Sequence, residues 1–293
     1  MKNWMWMVAG LSLLVACDSK PPEEELIQSL RQNLDSQNWE GGIEAGKTLL
    51  QHYPKNADGY NMLGVAYLNQ EEIYKADSVF SKAIVLDTTN YKYLYNRGNA
   101  RRAIAMKTRE PRDFLIALDD YSKARDLQPN IADIYINRAV MLNQLASPQT
   151  ALEDLKFAIS LDDDNPLAYF QLGLTYSNLS EEDSLAVADE AVAAQFIDSA
   201  MTNLEKAHEL DENWGSATFW LAMMSIKEGN MDKACELWTK AKEQGIEQAD
   251  INLHLNCDGY ADDHTEEEVE AMIAEATEKA EGEEHFMGDG HMH

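Results

Sequence analysis

Residues with chemical potential sit mainly at the two ends of this chain. The last nine positions place His285, His291 and His293 beside Met287 and Met292, and imidazole with thioether is a donor set that suits copper or nickel. We assign no metal to this tail and carry metal binding by His285, His291 and His293 as the alternative reading. Three cysteines are present, Cys17, Cys235 and Cys257, and no Cys-x-x-Cys occurs, which excludes the spacing of a dithiol redox enzyme. His52, His208 and His254 stand alone, and carboxylates are too abundant for any pair of them to mark an acid–base site. The chain has no Gly-x-Ser-x-Gly, no His-Glu-x-x-His, no phosphate-binding glycine loop and no dinucleotide fingerprint. Neither an enzyme nor a cofactor is expected.

What must position any site here is a repeat. Gly64, Gly98, Ala139, Gly173 and Ala222 form one series, spaced 34, 41, 34 and 49 residues. Ala76, Ala117, Ala151, Ala200 and Ala234 form a second, each followed seven residues on by another alanine. This is a 34-residue unit with insertions of 7 and 15 residues in two copies. Small residues recur because two helices approach to about 8–10 Å only where their contact positions are small. Tyr60, Leu63, Tyr67 and Phe80 around Gly64, and Tyr169, Leu172, Tyr176 and Leu204 around Gly173, fill the remaining space at helical spacing. Each unit ends at a stop signal such as Tyr53-Pro54, Gln128-Pro129 or Gly245.

With Tyr60, Leu63-Gly64, Tyr67, Ala76, Phe80 and Ala83, the unit 57–90 resembles the tetratricopeptide repeat. Units 132–165, 166–214 and 215–248 match nearly as well, 91–131 matches around its insertion, and 23–56 is degenerate, as befits an end cap. The resemblance implies an all-α, right-handed solenoid of about six helix pairs with a C-terminal capping helix. It also implies a concave wall built from the first helix of each unit, chiefly its second, fifth, ninth, twelfth and thirteenth residues. On these positions fall Lys92, Tyr95, Asn99, Arg102 and Asn143 in the first half, and Phe170, Leu174, Phe219, Met223 and Ile226 in the second. The first set suits a peptide backbone and a carboxylate; the second suits apolar side chains. The implied partner is a protein or peptide. Arg97 and Arg138 occupy the seventh position of their units, opposite Asp120 and Asp154, so internal ion pairs are expected there. Both insertions fall between the two helices of a unit, the first carrying Lys107, Arg109 and Arg112.

At the N-terminus, Lys2 precedes a short apolar run that closes with Leu14-Val15-Ala16-Cys17. The run is too short to span a bilayer. Its ending resembles the box of bacterial lipoproteins, which implies cleavage before Cys17 and acylation of that residue. Domains are therefore expected as a signal peptide over 1–16, a lipidated cysteine and tether over 17–22, the solenoid over 23–257 and an acidic, partly disordered tail over 258–293. Glu23-Glu24-Glu25 and the closing repeat with Ala234-Cys235 and Trp238 resemble lipoproteins of Bacteroidota, and favour the outer membrane of the cell envelope. Asp18 resembles an inner-membrane retention signal and keeps that membrane as the alternative. A net charge of −28 excludes nucleic acid as a natural partner. From Asp258 onward thirteen carboxylates accompany one cation, Lys279. Cys235 and Cys257 fall at the same level of antiparallel neighbours, which allows a disulfide in an oxidising envelope or two buried free thiols.

Overall fold

The small–large alternation of the sequence becomes thirteen helices among the described residues. The structure, a computed structural model, describes residues 20–180 and 190–257. Among them α1 (Glu23–Asp35) pairs with α2 (Trp39–His52), α3 (Ala57–Asn69) with α4 (Ile73–Leu86), and α5 (Tyr91–Thr108) with α6 (Pro111–Leu127). Next come α7 (Ala132–Gln144) with α8 (Pro148–Leu161), α9 (Pro166–Leu179) with α10 (Glu190–Leu210), and α11 (Gly215–Lys227) with α12 (Met231–Glu243). A single helix, α13 (Glu247–Asn256), closes the array against α12. No strand occurs among the described residues, and none of their helices is long and apolar enough to cross a membrane.

One contact explains why each pair closes. The residue four places after each alanine of the second series is large and fully buried: Phe80, Tyr121, Leu155, Leu204 and Trp238. It lies across its helix pair against the small residue of the first series. A Cβ added at Gly64 would come 2.4 Å from the Phe80 ring, and one added at Gly173 would come 2.7 Å from Leu204. Glycine is needed there for close approach of the two helices. Consecutive helices pack throughout, and the odd-numbered helices from α1 to α11 also touch one another in succession. No pair of even-numbered helices packs comparably. This unequal spacing curves the array and makes the odd-numbered helices its inner wall.

The seven-residue insertion does not form a loop. It extends α5 to Thr108 and starts α6 at Pro111, and the added turns pack together through Ala105 and Phe114, both buried. Proline at the first helical position needs no amide partner, so the second helix begins there without loss. The connection turns on Arg109, whose φ is +56°. Equivalent left-handed residues make the α1–α2, α3–α4, α7–α8 and α11–α12 turns: Gln37, Glu71, Ala146 and Gly229.

The described part of the expected tether is docked on the solenoid. Tyr53 Oη donates to the carbonyl of Pro21 at 2.8 Å, Asn56 Nδ2 donates to Glu23 Oε1 at 2.8 Å, and Lys20 Nζ lies 3.5 Å from the Tyr53 ring centre. At the other end Cys235 of α12 and Cys257 after α13 form a disulfide, with Cα atoms 5.9 Å apart. Cys17 and the signal segment, residues 181–189 of the second insertion near Ser180 to Asp198, and the acidic tail with His285, His291 and His293 lie outside the described residues; the rest of that insertion lengthens α10.

Candidate functional site: the inner wall

The odd-numbered helices present the same five unit positions in succession, and the structure sorts those positions by what they touch. The fifth lies at the seam between neighbouring inner helices, half-buried on α3 and α5 and buried on α7, α9 and α11. It is occupied by Asn61, Tyr95, Ile136, Phe170 and Phe219. Asn61 Oδ1 accepts a 2.9 Å hydrogen bond from Asn96 of α5, and Tyr95 Oη accepts one of 3.1 Å from Asn137 of α7. Burial, followed by the charge of Asp133, pushes the Tyr95 hydroxyl up to about 12, so it stays protonated and available for this ladder. Ile136 and Phe170 are fully buried, and Phe219 is 8% exposed.

Two expected wall residues are therefore core. The Phe170 ring packs 4.5 Å from that of Trp214, which comes from the α10–α11 turn and covers it. Phe219 belongs to the cluster of Trp238, Ala249 and Leu253. Asn99 is a third correction: it is buried, and its Oδ1 accepts a 2.8 Å hydrogen bond from the hydroxyl of Tyr121. The bulk of Tyr121, which fills the crossing at Gly98, brings a polar atom into the core that only an inward-facing amide can satisfy.

The remaining expected residues of the five wall positions keep some exposed surface. Lys92 is exposed, while Arg102, Asn143, Leu174, Met223 and Ile226 are half-buried, each keeping part of its surface open. Asn143 Nδ2 donates to Thr175 of α9 at 2.8 Å, and that hydroxyl donates to the Gln171 carbonyl at 2.7 Å. Tyr93 Oη donates to Asp58 at 2.6 Å, a further link from α5 to α3. The most open positions are the second and thirteenth, with Asp58, Lys92, Asp133, Gln144, Asn178 and Lys227 exposed. Sequence reasoning missed Tyr93 and Thr175 as links. Their type was visible, but nothing in a single helix shows which neighbour a hydroxyl will meet.

Arg97 and Arg138 turn inward. Arg97 grips Asp120 through two hydrogen bonds of 2.7 and 2.8 Å, Arg101 adds a third of 2.9 Å to the same carboxylate, and Arg138 holds Asp154 with both of its nitrogens, one at 2.6 Å. Such bidentate pairs fix the register of the two helices in a unit and leave neither arginine for a ligand. Among the described residues no group of three or more histidine, cysteine or carboxylate side chains is placed to hold a metal ion.

This arrangement, paired antiparallel helices with a small–large crossing and a curved inner wall, defines an all-α solenoid of the tetratricopeptide-repeat type. The family model described as tetratricopeptide repeat matches residues 57–90. Among solved structures, PilW, described as a widely conserved type IV pilus biogenesis factor, superposes with a TM-score of 0.61 at 16% identity, over 75% of this chain and 92% of its own. PilF of Pseudomonas aeruginosa gives 0.59 at 16% identity, over 75% of this chain and 90% of its own. A thermophilic TPR protein of Thermus thermophilus gives 0.53 at 15% identity, over 70% of this chain and 100% of its own. Similarity at this level establishes the fold that these chains share.

Proposed function

We propose that this protein is a lipid-anchored scaffold of a bacterial cell envelope, holding an extended segment of a partner protein against its inner wall. The observation that carries the reading is the wall itself. Its second position is exposed on α3, α5 and α7 and its thirteenth on α7, α9 and α11, with the other members of both rows half-buried, while the seams between its helices are filled, which leaves a preorganised track that crosses the wall. Lys92 and Arg102 supply cationic donors on its first half, and Leu174, Met223 and Ile226 supply apolar surface on its second. A segment with an acidic or amide-rich end and an apolar end fits that sequence of surfaces. A rigid wall avoids much of the ordering entropy that a flexible receptor loses on binding.

Anchoring is supported by Leu14-Val15-Ala16-Cys17, and the disulfide at the far end suits an oxidising compartment. Acyl chains, at about 0.8 kcal/mol per buried methylene, would hold the chain on a bilayer firmly. We place it at the outer membrane. PilW, which shares this fold, is a type IV pilus biogenesis factor, and a part in building an envelope structure is the kind of role we propose here.

Photocrosslinking in intact cells tests the reading. A photoreactive residue placed at Lys92, Gln144 or Asn178 on the wall should capture a discrete partner, and one placed at Tyr74 or Val85 on the outer helix α4 should not. Equal capture from both faces would remove the groove, and release of the unaltered protein by salt washing would remove the anchor.

A further inference from the structure

The N-terminal strap is docked on the solenoid rather than hanging free. Lys20, Pro21 and Glu23 are each held at the α2–α3 turn or at the start of α3, by the Tyr53 ring, the Tyr53 hydroxyl and the Asn56 amide respectively. Lys20 is exposed, so its contact with the aromatic face is a modest one, and the two hydrogen bonds beside it hold the strap in place. Lys20 is thus a fixed point, three positions beyond Cys17 in sequence. At 3.3–3.6 Å per residue that stretch reaches at most about 11 Å. A free chain up to the start of α1 would double the reach to roughly 20 Å.

From this we infer that the strap makes the α2–α3 turn the membrane-proximal point of the solenoid, a lipid-facing surface centred on Lys20, Tyr53 and Lys55. The inference rests on lipidation at Cys17. Tyrosine and lysine suit that place, since an aromatic ring with a polar tip and a long cationic stem both favour the headgroup region. The corresponding turns of later units share this edge of the solenoid, because every pair runs antiparallel, and Glu23-Glu24-Glu25 at the start of α1 lie on it too, but no later turn is tied to the anchor by so short a chain. Those turns carry Asp87, then Asp162, Asp163 and Asp164, then Asp211 and Glu212, with no lysine or arginine among residues 87–90, 128–131, 162–165 and 211–214. Anionic headgroups repel such turns, and Glu23-Glu24-Glu25 as well, within a Debye length of about 8 Å, so the short strap rather than charge decides which point of the edge lies nearest the lipid. The first helix pair is held down and the later ones stand off, so the inner wall projects away from the bilayer with its Lys92 end nearest the lipid.

The test uses the full lipidated protein in phosphatidylcholine vesicles containing one anionic lipid and a headgroup-nitroxide lipid. A fluorophore is attached at Lys55→Cys or at Asp163→Cys. Strong quenching at 55 and little at 163 is expected, and the double variant Lys20→Ser with Tyr53→Leu should lose most of the quenching at 55 while keeping its helix content and its flotation with the vesicles. Equal quenching at the two sites, or no loss in the strap variant, overturns the orientation while leaving the anchor intact. A protein that lacks the lipid by mass and fails to float, like its Cys17→Ala control, overturns both.

Discussion

The two halves of the inner wall use one repeat position in opposite ways. Between α3, α5 and α7 the seam is polar: Asn61 meets Asn96, and Tyr95 meets Asn137, both partly open to water. Between α7, α9 and α11 the same position holds Ile136, Phe170 and Phe219, closed from solvent. A repeat fixes where a side chain stands, and the residue type then decides whether that place is surface or core. A polar seam exchanges its hydrogen bonds with water at small net gain, whereas an apolar seam is stabilised by area removed from water and by close packing. The second half of the solenoid is therefore the more rigid support, and the first half is the more adaptable contact surface.

The largest effect expected from this difference is at Phe170. Phe170→Ala removes a fully buried ring that packs at a tilt against Trp214, and should lower stability by about 3–5 kcal/mol. Thermal unfolding followed by circular dichroism measures it. A loss below about 1 kcal/mol, the range of ordinary surface changes, would return Phe170 to the open wall and erase the contrast between the halves.

The closed half also has a covalent clasp. The disulfide joins residues 22 apart and holds α13 over the cluster of Phe219, Ala222 and Trp238. The double variant Cys235→Ser with Cys257→Ser should lose about 3 kcal/mol through loop closure in the unfolded chain. Hydrogen exchange should rise first in α13 and α12 and leave α3 to α7 unchanged. Uniform acceleration over the whole chain would show instead that the two halves unfold as one unit.

The polar seam responds more weakly. Asn96→Ala removes the donor to Asn61 at a half-buried site that water can reach, and should cost about 1 kcal/mol. Combined with Asn61→Ala in a double-mutant cycle, the coupling energy should be about 0.5–1 kcal/mol. A coupling near that expected for Phe170 with Trp214 would make the two seams equivalent after all.

These differences mark where sequence is a sufficient guide. The helix pairs are legible because Gly64 with Phe80, Gly98 with Tyr121 and Gly173 with Leu204 repeat one steric requirement, and a steric requirement constrains residue type directly. The pairing of Arg97 with Asp120 is legible for a related reason, since matching unit positions bring opposite charges together. The fifth position is not legible as surface or core. Its burial depends on how tightly successive inner helices approach, which is set by neighbours such as Trp214 that lie outside the five wall positions. The docking of Lys20 on Tyr53 is still less visible, because 33 residues separate them and neither type demands the other.

The turns between the helices of each pair extend the comparison and give the smallest effect. Gln37, Glu71, Arg109 and Ala146 adopt positive φ without being glycine, whereas the equivalent turn between α11 and α12 uses Gly229 at +82°. A left-handed residue with a Cβ costs roughly 1–2 kcal/mol. Replacement by glycine removes that strain but gives the unfolded chain more freedom, a loss of about 0.5–1 kcal/mol. Ala146, at +52°, is exposed and has no side-chain contact to lose beyond its methyl group. Its amide donates to the Asn143 carbonyl at 3.1 Å, and that of Ser147 donates to Leu142 at 2.9 Å, so backbone hydrogen bonds already define the turn. Ala146→Gly should therefore raise stability by about 0.5 kcal/mol, a shift of a degree or two in Tm. Gly229→Ala should lower it by a similar amount in the second half. If Ala146→Gly instead destabilises, unfolded-state entropy outweighs the left-handed strain at this turn, and the lone glycine of the α11–α12 connection reflects a demand of the closed half that the open half does not share.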